Sequence, residues 1–426
     1  MNRASWLGAF AGAAVVLNQR YFLLKKILPI LNTPVRRILL TFCLIMATGL
    51  IVSGLYLLKK GSSTGKLLIW QVTSGRIAEK PLFGYGIGRF EAEYNNWQAN
   101  YFRKHPEEMD GPKGMAAGNT KYCFNEYLEL AAEAGITGLV LFLVIFISIF
   151  RTKKKFSIET GMCPTPPAPR CLPLTPGNDK ENPFCNKSIL ISSLLSVLIC
   201  ASVSFPFYSL PTLVLLFVLS GMVSAGNPHD IVTVQLHPVC GMFIRTAIVI
   251  MLAGTGIFLA GKLKKMHNAY NVMDEAVMLY QAGAYGRSSE SFSAICREMK
   301  YYGPFLQFSA KALLMEGRYD ESIAMYEKAK NYASDEVLYC SLGDAHKAIK
   351  QYKDAEDAYL HAAFMVPNKL YPLYLLAILY EESDQGEKAV EVAKKILRKP
   401  IKVESEATGE IREKMKELVN RYNNYH

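Results

Sequence analysis

Three carboxylates at helical spacing, Glu126, Glu129 and Glu133, stand in "FNEYLELAAEAGITGLVLFLVIFISIF", a stretch that ends as a long apolar run. They share one face of the helix this stretch predicts, with Asn125 beside them. Carboxylates at the mouth of an apolar span are costly unless they face a watery cavity or a basic partner. The residues fit such a cavity, and they fit equally a span flanked by polar side chains in the membrane interface.

Upstream, "GKLLIWQVTSGRIAEKPLFGYGIGRF" predicts a short amphipathic helix followed by a glycine-rich turn. GYGIG lacks the preceding strand of a nucleotide-binding loop, so Gly84, Gly86 and Gly88 read as tight turns. Phe90, Tyr94, Trp97 and Tyr101 then recur on one face of a single helix. Such rings suit the headgroup level of a bilayer or packing against neighbouring spans.

The elements that carry these residues follow from hydropathy. The chain has 426 residues and a formal charge of +11. Its apolar runs lie before about Gly261, and the remainder has the composition of a water-exposed helical domain. Basic residues gather at the ends of apolar runs, as in Arg20, Lys25, Lys26, Arg36 and Arg37, or Arg151 and Lys153 to Lys155. That pattern holds loops on the cytoplasmic side and forms no stripe for nucleic acid, which is excluded as a partner. The nine cysteines give neither a disulfide framework nor a zinc spacing, so no metal site is expected.

Six apolar segments are expected: Trp6–Leu17, Ile38–Leu58, Tyr127–Phe150, Ile189–Val203, Pro211–Ala225 and Cys240–Ala260. The second, third and sixth are long enough to cross a bilayer core of about 30 Å. The fourth and fifth, joined by "SFPFYSL", read as two short spans or a re-entrant pair. Alternation places loop 59–125 outside and the proline-rich loop 151–188 inside, the latter as a connector or a polyproline ligand. The tail falls outside if the fourth and fifth segments both cross, although Lys262, Lys264 and Lys265 favour the inside. Met1 also falls outside with no span before it, as in a multi-pass protein whose first helices are missing.

After Ala269 the sequence repeats itself with a period near 34 residues. Tyr285, Tyr319, Tyr352 and Gly386 align, as do Ser288, Ser322, Ala355 and Ala389, and Phe292, Tyr326, Tyr359 and Ala393. Small residues where helices touch and aromatics one turn later are the tetratricopeptide signature, with 404–423 as the capping helix. The fold class expected is all-α: a polytopic transmembrane helical domain, 1–261, followed by a tetratricopeptide α-solenoid, 267–426. The solenoid reads as a partner-binding surface or as a stabilising domain without a ligand.

"SSTGKLLIWQVTSGRIAEKPLFGYGIGRFEAEYNNWQANYF", followed by "FNEYLELAAEAGITGL", resembles the O-antigen ligase and polymerase family of membrane glycosyltransferases. "NRASWLGAF" resembles the family's arginine motif, and members with C-terminal tetratricopeptide repeats share this arrangement. The resemblance implies transfer of a glycan from an undecaprenyl-diphosphate carrier to an acceptor hydroxyl of a glycolipid or polysaccharide. It implies a site outside the bacterial inner membrane with no metal and no cofactor beyond the lipid-linked donor. Cations must then hold the departing diphosphate, and a base or orienting group must serve the acceptor. The implied diphosphate ligands are Arg3 and Lys66, with Arg76 and Arg89 nearby; Lys66 stands where the family usually has arginine. The implied catalytic residues are Glu126, Tyr122 and Asn125. The family's usual histidine before this helix is absent; His105 lies well upstream, and Glu126 suits a base better than Tyr122 does. Polymerase activity, transfer to protein hydroxyls and a non-catalytic membrane-anchored repeat scaffold stay open as alternatives.

Overall fold

A computed structural model describes residues 3–21, 60–151, 187–225 and 238–425. The second apolar segment, most of the proline-rich loop and residues 226–237 lie outside the described residues. Every regular element among the described residues is helical. In chain order these are α1 (Arg3–Tyr21), α2 (Lys60–Ile77), α3 (Phe90–Lys104), α4 (Pro112–Ala116), α5 (Glu126–Arg151), α6 (Lys187–Ala201), α7 (Leu210–Ala225) and α8 (Pro238–Gln281). Then follow α9 (Tyr285–Ala294), α10 (Cys296–Met299), α11 (Gly303–Glu316), α12 (Tyr319–Ala329), α13 (Glu336–Ala348), α14 (Tyr352–Met365), α15 (Tyr371–Glu382), α16 (Gly386–Arg398) and α17 (Glu406–Tyr425).

Packing divides the chain into two units. The first holds Met1–Leu58, Lys80–Gly84 and Tyr122–Thr233; the second holds Lys59–Glu79, Tyr85–Lys121 and Val234–His426. Hydropathy groups loop 59–125 with the membrane segments, whereas most of that loop packs with the repeats.

In the first unit, α1 lies against α6 through glycines. A Cβ on Gly8 would stand 2.5 Å from the Ser196 carbonyl oxygen, and one on Gly12 would meet the Ser196 hydroxyl. Small residues four apart let two helix backbones approach this closely. Phe146, Leu190, Leu194, Leu216 and Val223 form the apolar core of α5, α6 and α7. The apolar run of the third segment does not continue one helix from the carboxylates. α5 breaks at Gly135, whose φ of 71° and ψ of −177° only glycine adopts readily. The turn after α2 fills the break: Ile136 N–H donates to the Pro81 carbonyl at 2.7 Å, and the Thr137 hydroxyl donates to Leu82 at 2.6 Å. The acidic half 126–134 and the apolar half 136–151 are therefore separate helices joined across a kink.

The second unit contains the repeats. Their matched columns coincide with helix positions: Tyr285, Tyr319, Tyr352 and Gly386 each open the second helix of a hairpin. Ser288, Ser322, Ala355 and Ala389 are fully buried, as are Phe292, Tyr326, Tyr359 and Ala393. The two serines tie their hairpins together, Ser288 donating to the Ala276 carbonyl and Ser322 to that of Ala310, each at 2.8 Å. Gly343 leaves room for the Tyr359 ring, which a Cβ would approach to 2.4 Å. α17 closes the stack by burying Met415 and Leu418 against α16 and its neighbours. These features make 269–425 a tetratricopeptide-type stack.

Two helical stretches among the described residues are long and apolar enough to cross a membrane, Glu126–Arg151 when taken across its break at Gly135, and Met242–Gln281. The stretches Ser5–Asn18, Ile189–Ala201 and Leu210–Ser224 are apolar but shorter. α8 carries the apolar run of the sixth segment, with Ile248, Ile257 and Phe258 exposed, straight into the first repeat hairpin, where Ala276 is fully buried.

Candidate functional site

Asn125 turns the chain into α5 by accepting the Tyr127 and Leu128 N–H groups, both at 3.1 Å. This is the work of an N-cap, and it fixes the first turn of the acidic helix. That turn carries Glu126 and Glu129 inward, to 8% and 4% exposure, while Glu133 stays half-buried. Glu126 Oε1 accepts the Phe207 N–H at 2.8 Å. Glu129 accepts the Cys123 N–H at 2.9 Å through one oxygen and the Tyr208 hydroxyl through the other. Buried carboxylates need such donors, because an unpartnered charge away from water is costly.

Tyr122 joins the same cluster. Its ring stacks on Phe205 at 4.4 Å and meets Tyr208 edge-on at 4.5 Å. Of the residues expected to be catalytic, Tyr122, Asn125 and Glu126 thus come together in the first unit, with Asn125 oxygen committed to capping. A cavity of about 450 Å³ adjoins them through Phe205, and Ser5, Gly8, Ser196, Cys200 and Thr212 also line it. Arg3 begins α1 two residues before Ser5.

Lys66, Arg76 and Arg89 belong to the second unit. Lys66 lies on α2, half-buried. Arg76 donates to Glu79 at 2.5 Å and holds that carboxyl below the usual carboxylate range. Glu79 also accepts the Tyr85 hydroxyl at 2.9 Å, and burial with this contact pushes the Tyr85 phenol up to about 12. Arg89 is spent on structure: it pairs with Glu93 at 2.7 Å and donates to the Asn331 carbonyl of the repeats at 2.5 Å. His105 is exposed beside Glu107. The expected aromatic face is buried in protein within this unit, with Phe90, Tyr94 and Trp97 at 4% exposure or less. Phe90 stacks on Tyr94 and meets Trp97 edge-on.

The residues that sequence reasoning passed over are Phe205, Phe207 and Tyr208, read only as a connector. "SFPFYSL" instead supplies an N–H, a hydroxyl and a stacking ring to the carboxylate helix. A run of aromatics between two short apolar helices was the signal available. Gly84 takes the positive φ of 65° that a tight turn needs, and the close approach of α5 adds a second reason for glycine there. A Cβ there would lie 2.5 Å from the Ala132 carbonyl oxygen.

Residues 1–143 match the family model described as O-Antigen ligase. Comparison with curated proteins returns no match. Similar solved structures include MamA 41-end from Desulfovibrio magneticus RS-1, 19% identical, covering 30% of this chain and 72% of that one with a TM-score of 0.29. A tetratricopeptide repeat protein from Parabacteroides merdae ATCC 43184 is 17% identical, covering 37% and 65% with a TM-score of 0.30. A chain of the APC/C hetero-tetramer Cut9-Hcn1 is 13% identical, covering 99% and 85% with a TM-score of 0.33.

Proposed function

We propose that this protein is a membrane glycosyltransferase of O-antigen ligase type. It moves a glycan from an undecaprenyl-diphosphate carrier to an acceptor hydroxyl on a glycolipid or polysaccharide, at the outer face of a bacterial inner membrane. The observation that carries this reading is the overlap of the family match over 1–143 with the buried carboxylate cluster at the head of α5. The exposed apolar faces of α8 and of 136–151 support a membrane setting, since soluble chains rarely show such continuous apolar surface. Polymerase activity and transfer to protein use the same chemistry and differ in the acceptor alone.

In the proposed step the acceptor oxygen attacks the anomeric carbon and the bond from that carbon to the diphosphate oxygen breaks. Undecaprenyl diphosphate leaves with the bonding electrons, and the acceptor proton passes to the Glu126 carboxylate. Glu126 is held for this by the Phe207 N–H, and Tyr122 orients the hydroxyl. The family resemblance offers Arg3, Lys66 and Arg76 as the cations that would neutralise the leaving diphosphate, a role that is strongest in the transition state. Arg76 exchanges its Glu79 partner for phosphate oxygens, for which its planar fork is suited. Arg89 would have to leave both Glu93 and the Asn331 carbonyl to serve as a ligand.

The test uses the full chain in proteoliposomes with an undecaprenyl-diphosphate-linked glycan. Release of undecaprenyl diphosphate only when a hydroxyl acceptor is added supports transfer. A donor that stays intact with every acceptor points instead to a membrane-anchored repeat scaffold.

A further inference from the structure

The second unit contains a recognition surface made by the chain for itself. α3 and the segment after it lie along α14 and the turns that join successive repeats. From the loop side, the Asn95 amide donates to the Ser334 carbonyl and the Gln98 amide to that of Met365, the latter at 2.6 Å. Asn96 accepts the Tyr339 hydroxyl at 2.9 Å and meets His361 at 3.0 Å. From the repeat side, the Asn368 amide reaches the Gly114 carbonyl at 3.1 Å and also that of Ala117. Lys399, only 3% exposed at its side chain, pairs with Asp110 at 2.5 Å.

Two properties set this apart from incidental packing. Asn95 and Gln98 are 3% and 1% exposed, so each needs a defined partner, and both find backbone carbonyls of the repeats. The contacts also follow the repeat: Ser334, Asn368 and Lys399 occupy successive inter-repeat turns, about one tetratricopeptide period apart. One loop segment is thus gripped by a ladder of turns, one rung per repeat.

We propose that the repeats act as an intramolecular clamp on the 89–119 loop. Their turn edge binds this chain's own segment and holds in fixed form the loop that begins with Arg89 and packs beside α2, the helix of Lys66 and Arg76. Loop and repeats then lie on the same face of the membrane, which requires an even number of crossings between Lys121 and the start of the repeats. The inference stands whether or not the chain is a transferase.

Hydrogen exchange on the full chain in native-membrane vesicles tests it. Peptides covering 90–104 are expected to be protected, and Asn368→Leu combined with Lys399→Met is expected to speed their exchange tenfold or more. Exchange within 303–348 stays unchanged in that variant. If the variant loosens the repeats as well, Asp110→Lys alone is expected to speed exchange in 105–119, and adding Lys399→Asp to restore it. Loop peptides unprotected in the wild type, unaffected by the repeat substitutions, or not restored by the swap would overturn the clamp. Trypsin added to spheroplasts is expected to cut the loop-released variant at Arg103 and to degrade a C-terminal tag alike. Cleavage of one without the other would overturn the shared face.

Discussion

The carboxylate cluster and the loop–repeat seam both bury polar side chains, but they are built from different distances along the chain. Glu129 takes the Cys123 N–H from the segment just before its helix and Tyr208 from a short connector, and aromatic rings lie beside them. At the seam, Gln98 is paired with Met365, 267 residues away, and the fixed carbonyls of repeat turns do the recognising. The first arrangement leaves buried carboxylates held by N–H and hydroxyl donors, the setting the proposed proton transfer would use. The second leaves amides against carbonyls, a pairing suited to holding a shape. Burial of polar groups therefore holds carboxylates beside aromatic rings in one unit and amides against carbonyls in the other.

The sharpest way to break the first region is Gly135→Ala. Its backbone lies where other residues are strained, and a Cβ would stand 2.0 Å from the Leu82 carbonyl oxygen. A loss of about 3 kcal/mol or more is expected in the first unit. Thermal unfolding in detergent reads it, while the repeats keep their protease resistance.

The seam is expected to respond to acid. Burial, with Arg103 and Lys330 nearby, lowers His361 to about 4. Its Nε2–H donates to Asn96, and its Nδ1 faces the Arg103 guanidinium, so a proton there has no place. The folded value lies below the unfolded one, so the unfolded chain binds more protons between the two. Stability is full above about pH 6.5 and falls as pH drops toward 4, by up to about 3 kcal/mol. Urea midpoints of the second unit measured across that window check the sign, and His361→Asn is expected to flatten the curve.

Tyr208→Phe tests the cap on the carboxylates. It removes a donor from buried Glu129 and is expected to cost about 1–3 kcal/mol in the first unit, seen as a lower melting temperature. Ser322→Ala is the mildest change. It removes one hydroxyl bond to Ala310, yet Ala355 and Ala389 fill the same column in later repeats. About 1 kcal/mol or less is expected in urea unfolding.

These regions were unequally legible in the sequence. The repeats announce themselves because each hairpin reuses one register, so Tyr285, Tyr319 and Tyr352 mark helix starts without any knowledge of partners. The spacing of Glu126 and Glu129 likewise shows a shared face, which the fold turns inward. The break at Gly135 was hidden inside an apolar run, since a single glycine within a helical pattern does not reveal the loop that enters beside it. The amides of Asn95 and Gln98 look like any polar face of a helix; their carbonyl partners lie in turns with no mark in local sequence. Phe207 contributes a backbone N–H, which no residue type betrays.

The central claim is that Glu126 takes the acceptor proton during glycan transfer. The direct measurement is the initial rate of transfer by full-length wild type and Glu126→Gln in proteoliposomes, at saturating lipid-linked donor. The account predicts product from the wild type and a fall of kcat by about 100-fold or more in the variant, with the donor KM little changed. Equal rates in the two proteins, or a donor that the wild type never consumes, would contradict it.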